Sequence, residues 1–262
     1  MRNRFRKIYR YLMLAGLDPV MAINTLRGLP FFLRDRRTIR KQRGSDRTFP
    51  FGRGYPVLGD RFTESGTMSG HYFHQDLYVA RRIFTDNPGK HVDIGSRTDG
   101  FVAHVAVFRE IEIIDIREQK SSVRNIKFRK ADLMTLPENM AGYCDSLSAL
   151  HSIEHFGLGR YGDAIDYNGH LKALENIRLM LKPGGKFYLS VPIGLQRIEF
   201  NAHRVFSVRY LLNILEEHFS LRRFSYIDDN GDFHEDAELN EGNIVSNFGC
   251  TYGCGIFELV KI

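Results

Sequence analysis

Two short stretches decide how this chain folds: His91-Val-Asp-Ile-Gly-Ser-Arg-Thr-Asp-Gly100 and Ile111-Glu-Ile-Ile-Asp-Ile116. Each contains an apolar run that ends in a carboxylate, and a glycine turn and a helix-like segment lie between the runs. This pattern predicts a strand, a turn, a helix and a second strand. Asp115 follows Gly95 by 20 residues, the spacing at which a nucleotide-binding βαβ unit places the acid that accepts ribose hydroxyls. We therefore expect a bound nucleoside at this point.

The turn departs from the dinucleotide-binding pattern G-x-G-x-x-G. Arg97 occupies the place of the second glycine, so that only Gly95 and Gly100 remain. The second glycine normally lets the backbone approach a pyrophosphate, and its loss disfavours a nicotinamide dinucleotide. An ordinary strand-to-helix turn is the alternative interpretation of this motif taken alone.

The composition is that of an ordinary globular chain. Its 262 residues, 43% hydrophobic and 26% charged, suit one α/β domain with an extension. No apolar run reaches the roughly 20 residues that span a bilayer. The three cysteines (Cys144, Cys250 and Cys254) form no even disulfide framework and no complete zinc motif. We expect buried thiols and a cytoplasmic setting.

Positive charge is concentrated in the first 47 residues. This segment has 13 Lys or Arg and three acids, a net charge of +10, whereas the rest has 24 basic and 28 acidic residues. Helical spacing of apolar residues at positions 5–13 and 20–26, ending at Gly28-Leu-Pro30, predicts a basic amphipathic arm. We expect the arm to contact an anionic membrane surface or an acidic protein; the alternative is a solvated helix packed on the main domain. The acidic remainder argues against nucleic acid as a partner. The predicted domains are residues 1–47 and 48–262.

Strand and helix signals alternate along the main domain, which predicts an α/β fold. The expected architecture is a seven-stranded, mostly parallel sheet with helices on both faces. The final two strands lack a helix between them and are expected to pair antiparallel at the sheet edge. Predicted strands are 90–94, 111–115, 126–130, 145–150, 186–191, 220–227 and 254–261, and predicted helices lie near 76–86, 99–108, 117–122, 168–181 and 207–218.

Ligands of open α/β sheets bind at the carboxyl ends of the strands. Three acids, Asp93, Asp115 and Asp132, occupy three such ends. They suit a ligand that carries an amine, a diol and an exocyclic amino group. The end of the fourth strand contributes a cluster of polar residues, His151, Glu154 and His155.

Several segments together resemble a known family. They are Val92-Asp-Ile-Gly95, Ala131-Asp-Leu133, Asp145-Ser-Leu-Ser-Ala-Leu-His-Ser-Ile-Glu-His155 and Leu181-Lys-Pro-Gly-Gly-Lys-Phe-Tyr-Leu-Ser-Val191. With Asp115 between them, they resemble the class I S-adenosylmethionine-dependent methyltransferases, which have a Rossmann-like fold. Three further segments are similar to a subfamily presumed to act in surface-polysaccharide assembly: Gly70-His-Tyr-Phe-His-Gln-Asp76, Gly157-Leu-Gly-Arg-Tyr-Gly162 and Phe200-Asn-Ala-His-Arg-Val-Phe206.

The resemblance implies a set of S-adenosylmethionine-binding residues. Asp93 and the backbone at Gly95 and Ser96 would meet the methionine part, and Asp115 would accept the ribose hydroxyls. Asp132 and Leu133 would meet adenine. The chain departs from the family at Arg97 and Asp99, where glycines are common. The complete expected set is Asp93, Gly95, Ser96, Arg97, Asp115, Ile116, Asp132, Leu133, Leu150 and His151.

Methyl transfer to a hydroxyl needs alignment and a group that takes the proton. His151, His155 and His203 are candidate general bases, and Glu154 is the candidate orienting residue. His155 alternatively orients another group or is a core histidine. Arg204 would hold a phosphate or carboxylate of the acceptor, or form a surface ion pair. The expected acceptor-binding residues are His74, Arg160, Tyr161, His203 and Arg204.

We expect no metal, because the nearby set His151, Glu154, His155 and Asp163 is rich in histidine whereas magnesium prefers oxygen. The expected activity is O-methylation of a sugar hydroxyl on a glycan or nucleotide sugar. The arm would dock the enzyme at the inner membrane face or to a glycosyltransferase. Two alternatives stay open: a nicotinamide-dependent sugar oxidoreductase, and a non-catalytic Rossmann-like recruiting module. No sequence feature specifies an oligomeric state.

Overall fold

The structure is a computed structural model that describes residue 9, residues 11–136 and residues 138–262. The chain forms two compact units, of which the first ends at Thr67 and the second is Met68–Ile262. The predicted boundary at residue 47 therefore lies within the first unit. None of the helices in the described part of the chain is long and apolar enough to cross a membrane.

The first unit is built on helix α1, Pro19–Arg43. Asp18 caps it, because its side chain accepts hydrogen bonds from the backbone N–H groups of Val20 and Met21. The expected break at Gly28-Leu-Pro30 does not occur, and the helix continues through Pro30. The predicted helical segment at residues 5–13 lies largely outside the described residues. A short 3₁₀ turn, Asp60–Phe62, follows in an otherwise irregular segment.

The second unit begins with helix α2 and then alternates strands and helices. In chain order its elements are α2 His71–Asp86, β1 His91–Ile94, a π-helical turn Thr98–Val102, α3 Ala103–Ala106, β2 Ile111–Asp115, β3 Ile126–Lys130, β4 Cys144–Leu150, a 3₁₀ turn Ile153–His155, α4 Gly169–Met180, β5 Leu181–Ile193, β6 Arg197–Glu199, β7 His203–Val205, α5 Val208–Leu215, β8 Phe219–Ile227, β9 Phe233–His234, α6 Glu241–Val245, a 3₁₀ turn Asn247–Gly249 and β10 Gly253–Lys261.

The main sheet has eight strands in the order β3-β2-β1-β4-β5-β10-β8-β9. Strands β1 to β5 are parallel, whereas β10 is antiparallel to both β5 and β8. All seven predicted strands are confirmed, but the expected total of seven is wrong because the two-residue strand β9 adds an eighth. The last two predicted strands do pair antiparallel. However, β10 lies between β5 and β8 and not at the edge.

Apolar side chains cover both faces of the sheet. Because successive residues of a strand point to opposite faces, Ile113 joins one apolar cluster and Ile114 the other. Helices α2 and α3 pack into the first cluster, and α4 and α5 into the second. The predicted layers of helices on both faces are confirmed.

The predicted helix at 117–122 is wrong, because residues 116–122 contain no helix. Arg117 folds back onto the end of β2, where its backbone N–H and its guanidinium both donate to Asp115. This local turn competes with helix formation. It leaves an open, polar segment beside the end of β2.

One buried histidine joins the adjacent strands β1 and β4. The Nδ1 atom of His91 lies 2.9 Å from Ser146 Oγ, and its Nε2 atom lies 3.1 Å from Ser148 Oγ. Burial lowers the pKa of His91 to about 3. Its unfolded-state pKa is about 6.5. Between about pH 3 and pH 6.5, His91 is therefore protonated in the unfolded chain and neutral in the folded chain.

We therefore predict that His91 makes the fold sensitive to acid. As the pH falls below about 6.5, this one group should remove about 1.4 kcal/mol of unfolding free energy per pH unit. A His91→Gln variant should be less stable at pH 7 but should lose stability less steeply in acid. Urea unfolding at pH values between 7 and 4.5 gives the slope of the unfolding free energy against pH for the variant and for the unsubstituted chain. His218→Gln is the control at a partly exposed histidine. Equal slopes for His91→Gln and the unsubstituted chain would contradict this account.

Candidate functional site

Asp93 fixes the turn after β1 from inside the protein. Its fully buried carboxylate accepts hydrogen bonds from Ser148 Oγ (2.5 Å), Ser96 Oγ (2.7 Å) and the Ser96 backbone N–H (3.0 Å). Burial raises the pKa of Asp93 to about 6, although these hydrogen bonds oppose the shift. Ser96 Oγ in turn accepts from the backbone N–H of Leu150 at 3.2 Å. The turn is thereby tied to the end of β4.

Both glycines that remain in the turn lie close to neighbouring side chains. Gly95 has φ +67°, and a Cβ there would lie 3.3 Å from Ser152 Cβ. A Cβ on Gly100 would lie 2.4 Å from Asp76 Oδ2, a carboxylate whose pKa burial raises to about 6. The positive φ at position 95 disfavours any residue with a side chain, and a larger residue at position 100 would force Asp76 to move.

Arg97 and Asp99, the departures from the glycine pattern, point outward. Their side chains form an exposed ion pair at 2.9 Å. The Arg97 guanidinium lies 5.1 Å from the centre of the Tyr72 ring. Both residues line a cleft beside the turn.

This cleft lies at the carboxyl ends of the parallel strands. It has two adjoining parts: an apolar part, called the inner part below, and a polar cavity of about 600 Å³, called the outer part. Every predicted cofactor residue except Asp93 lines it. Those residues are Gly95, Asp115, Ile116, Asp132, Leu133 and His151 in the inner part, and Ser96, Arg97 and Leu150 in the outer part.

The acid at the tip of β2 is already engaged by a neighbour that the sequence analysis missed. Asp115 Oδ1 accepts from the Arg117 backbone N–H (2.8 Å) and Nε (3.0 Å), and Oδ2 accepts from Arg117 Nη2 (2.6 Å). The same guanidinium lies 4.3 Å from the centre of the Tyr161 ring. A diol that binds Asp115 must therefore share its oxygens with Arg117 or displace the guanidinium.

Glu154 lies between two of the three candidate histidines. Its Oε1 is 2.9 Å from His151 Nδ1 and 3.6 Å from His155 Nε2. Burial would lower the pKa of His151, but contacts with Cys254 and Glu154 outweigh burial and raise this pKa well above its ordinary value. Burial would raise the pKa of Glu154, and the His151 contact lowers it instead.

His155, unlike His151, is held as a neutral ring. Its Nδ1 lies 2.7 Å from the carbonyl oxygen of Ala202, to which it donates. Burial lowers the pKa of His155, and the Arg160 guanidinium assists while Glu154 opposes. The ring is therefore neutral near pH 7, with its acceptor nitrogen Nε2 on the side of Glu154.

The predicted acceptor-binding residues separate into two groups. Arg160, Tyr161 and His203 line the outer part of the cleft. His74 lies outside the cleft lining and stacks on Phe233, with ring centres 5.6 Å apart. Arg204 also lies outside the cleft lining, because its side chain is buried in the protein and only 4% exposed.

Arg204 contacts backbone where the sequence analysis expected an acceptor or a surface ion pair. It donates to the carbonyl oxygens of Phe156 (2.6 Å) and Tyr167 (2.9 Å), with longer contacts to those of Glu154 and Asp166. A buried guanidinium that satisfies several carbonyls fixes the shape of a loop. Here the loop is residues 154–167, which carries His155 and Arg160.

Two tyrosines that are not in the expected acceptor-binding set also line the cleft. Tyr72 and Tyr252 line its outer part, and Tyr252 lies beside His203 with ring centres 5.0 Å apart. Tyr72 belongs to an aromatic run at the start of α2, which was a weak signal. Tyr252 comes from the turn before β10, where no sequence pattern marked it.

Residues 96–240 match the family described as "Caenorhabditis protein of unknown function, DUF268". The chain belongs to this family. A comparison with curated proteins gave no match.

Solved structures with a similar fold include three at low sequence identity. The [4+2]-cyclase SpnF is 16% identical, with a TM-score of 0.52 over 72% of this chain and 80% of its own. The 1,6-didemethyltoxoflavin-N1-methyltransferase of Burkholderia thailandensis, solved with S-adenosylhomocysteine, is 13% identical, with a TM-score of 0.50 over 71% and 78%. The N-methyltransferase NodS of Bradyrhizobium japonicum WM9 is 12% identical, with a TM-score of 0.50 over 74% and 99%.

These likenesses show the fold, which is the Rossmann-like fold of class I methyltransferases. They do not assign the activity, since one of the three proteins is a cyclase and one fold carries many chemistries. The chemistry of this chain must be argued from its cleft.

Proposed function

We propose that the chain is an S-adenosylmethionine-dependent methyltransferase. The observation that carries this proposal is the convergence of the Gly95 turn, Asp115, Asp132 and Leu133 on one cleft at the strand ends. Two of the structural neighbours are methyltransferases by name.

The cofactor would lie along the strand ends, from the Gly95 turn to Leu133. The backbone at Gly95 and Ser96 would meet the methionine part, and Asp115 would take the ribose hydroxyls. Asp132 already caps its own turn by accepting from the Met134 backbone N–H at 2.9 Å. With Leu133 beside it, Asp132 would face the adenine edge.

We predict that the purified chain binds S-adenosylhomocysteine and that Asp115→Ala weakens this binding. Loss of hydrogen bonds to a charged group costs about 1.5–3 kcal/mol, which corresponds to about a 10- to 100-fold higher Kd. Isothermal titration calorimetry measures the change. The matched control is Glu110→Ala, because Glu110 is exposed, lies just before β2 at its opposite end and pairs with Lys127.

Unchanged affinity in Glu110→Ala is expected. No binding by the intact chain would overturn the proposal and favour the non-catalytic recruiting module. A parallel titration with NAD⁺ examines the oxidoreductase alternative, which predicts binding of that dinucleotide instead.

We further propose that the acceptor is a sugar hydroxyl on a glycan or nucleotide sugar. The outer cavity combines aromatic side chains (Tyr72, Tyr161 and Tyr252) with the polar groups of Arg160 and His203. Aromatic faces pack against apolar faces of a sugar ring, while the polar groups reach its hydroxyls. This chemistry supports a carbohydrate acceptor, which the narrower sequence resemblance also favours.

His155 is the best candidate for the general base. Neither nitrogen of His151 can take a proton from the hydroxyl of the methyl acceptor, because Nδ1 contacts Glu154 and Nε2 is buried. His155 donates from Nδ1 to a carbonyl, so its Nε2 accepts a proton beside the carboxylate of Glu154. Glu154 would then stabilise the imidazolium that forms.

We predict that His155→Gln lowers methyl transfer by at least about 100-fold without changing the affinity for S-adenosylhomocysteine. The assay follows tritium from S-adenosyl-[methyl-³H]methionine into a panel of nucleotide sugars, with His104→Gln as an exposed control. For the intact chain, the rate should fall as His155 becomes protonated, below pH 6.5. No labelled sugar would contradict the sugar acceptor, and an undiminished rate in His155→Gln would exclude this base.

For the basic N-terminal arm, we propose an anionic membrane surface as the partner. Arg40, Lys41 and Arg43 occupy the last turn of α1, and the first 47 residues carry a net charge of +10. Exposed apolar residues, among them Met21 and Leu26, accompany these charges. Clusters of basic residues are attracted to anionic lipid surfaces.

We predict that the double variant Arg36→Glu/Arg37→Glu releases the chain from vesicles that contain phosphatidylserine. Both side chains are exposed on α1, and each lost basic residue removes about 1 kcal/mol of attraction. Co-sedimentation measures the bound fraction. Lys120→Glu/Arg124→Glu makes the same change of charge at exposed sites of the second unit and should have little effect. Equal sedimentation of all three proteins would exclude the arm as the membrane contact.

A further inference from the structure

Three side chains from distant parts of the chain meet beside the cleft. His71 is the first residue of α2, His151 follows β4, and Cys254 is the second residue of β10. One donor atom from each lies within 4.8 Å of the other two. His151 and Cys254 are buried and His71 is partly buried. Among the described residues, this is the cluster with metal-binding geometry.

One nitrogen in this cluster has no partner. His151 Nε2 is buried without a hydrogen bond, and an unsatisfied buried polar atom costs about 1–3 kcal/mol. The other ring nitrogen, Nδ1, lies 2.9 Å from Glu154 Oε1. A histidine held by a carboxylate on one nitrogen and open on the other is the usual arrangement of a metal-ligating histidine.

We propose that His71, His151 and Cys254 form a Zn²⁺ site. Two imidazoles and a thiolate are borderline and soft ligands, which suit zinc and not magnesium. The sequence analysis expected no metal because it considered His151 with Glu154, His155 and Asp163, and that set does not assemble in this way. Asp163 instead accepts backbone hydrogen bonds from Gly157 and Gly159.

Zinc binding requires a small contraction of the cluster. Tetrahedral bonds of about 2.0–2.3 Å place ligand atoms about 3.3–3.6 Å apart. The His71 and His151 rings are stacked, with centres 5.1 Å apart, so His71 must also rotate out of this stack to aim a nitrogen at the metal. It is the least buried of the three residues. Cys254 Sγ lies 3.7 Å from Gln75 Oε1, and metal binding would replace this weak thiol contact with a thiolate bond. The metal would displace the proton of Cys254 and any proton on His151 Nε2.

The three protein ligands leave one tetrahedral position for water or another donor. The site would join the start of α2, the end of β4 and the start of β10. Because His151 lines the cleft, the metal would fix one of its walls. The proposal stands independently of the methyltransferase proposal.

The test is direct metal binding by the full chain after treatment with a chelator. We expect about one Zn²⁺ per chain by calorimetry and elemental analysis, with no competition from Mg²⁺. Co²⁺ should give a thiolate-to-cobalt charge-transfer band in the near ultraviolet. Cys254→Ser and His71→Gln should each weaken Zn²⁺ binding by about 100-fold or more, and Cys254→Ser should abolish the band.

Cys250→Ser is the matched control, because Cys250 is a buried free thiol outside the cluster. It should bind both metals as the intact chain does. Circular dichroism checks that each variant is folded, and His71→Gln carries the test if Cys254→Ser does not fold. No Zn²⁺ binding by the intact chain, or full binding by folded His71→Gln, would overturn the proposal. Binding of S-adenosylhomocysteine is measured separately, so failure of one proposal is distinguishable from failure of the other.

Discussion

The hydrogen bonds that the buried Asp93 carboxylate accepts from Ser96 and Ser148 determine the geometry of the cleft. A buried carboxylate is costly unless donors surround it, and here three donors reach it. They join the turn after β1 to β4, and Ser96 extends the network to the Leu150 backbone. These hydrogen bonds hold the Gly95 turn against the end of β4, where the cleft lies.

A second buried charge organises the opposite wall. Arg204 satisfies the carbonyls at both ends of the loop 154–167, so the positions of His155 and Arg160 depend on it. The two walls differ in character. One presents acids at the tips of β2 and β3, and the other presents histidines and aromatic rings. A cofactor with a diol and an adenine suits the first wall, and a hydroxyl acceptor suits the second.

Much of this could be predicted from the sequence because strand ends carry strong local signals. The seven long strands and the convergence of Asp115, Asp132 and His151 follow from apolar runs that stop at polar residues. Other features depend on tertiary contacts that no local pattern encodes. Arg204 turns inward because unpaired carbonyls lie there, and Arg117 prevents a helix by bonding to Asp115. The two-residue strand β9 is too short to leave a periodic signal.

The cluster of His71, His151 and Cys254 illustrates the same limit. Its members are separated by about 80 and 100 residues, and only the sheet order, with β4, β5 and β10 adjacent, brings them together. Sequence spacing instead favoured histidines close to one another in the chain. Proximity in the chain was a poor guide, because Asp163 binds the backbone of its own loop, while His151 also meets residues from two distant elements.

A crystal structure of the chain with S-adenosylhomocysteine tests the central claim most directly. The account predicts ribose hydroxyls on Asp115, with Arg117 shared or displaced, adenine beside Asp132 and Leu133, and the sulfur near His151. Density for the ligand at another place, or a cleft that stays empty at saturating ligand, would contradict it.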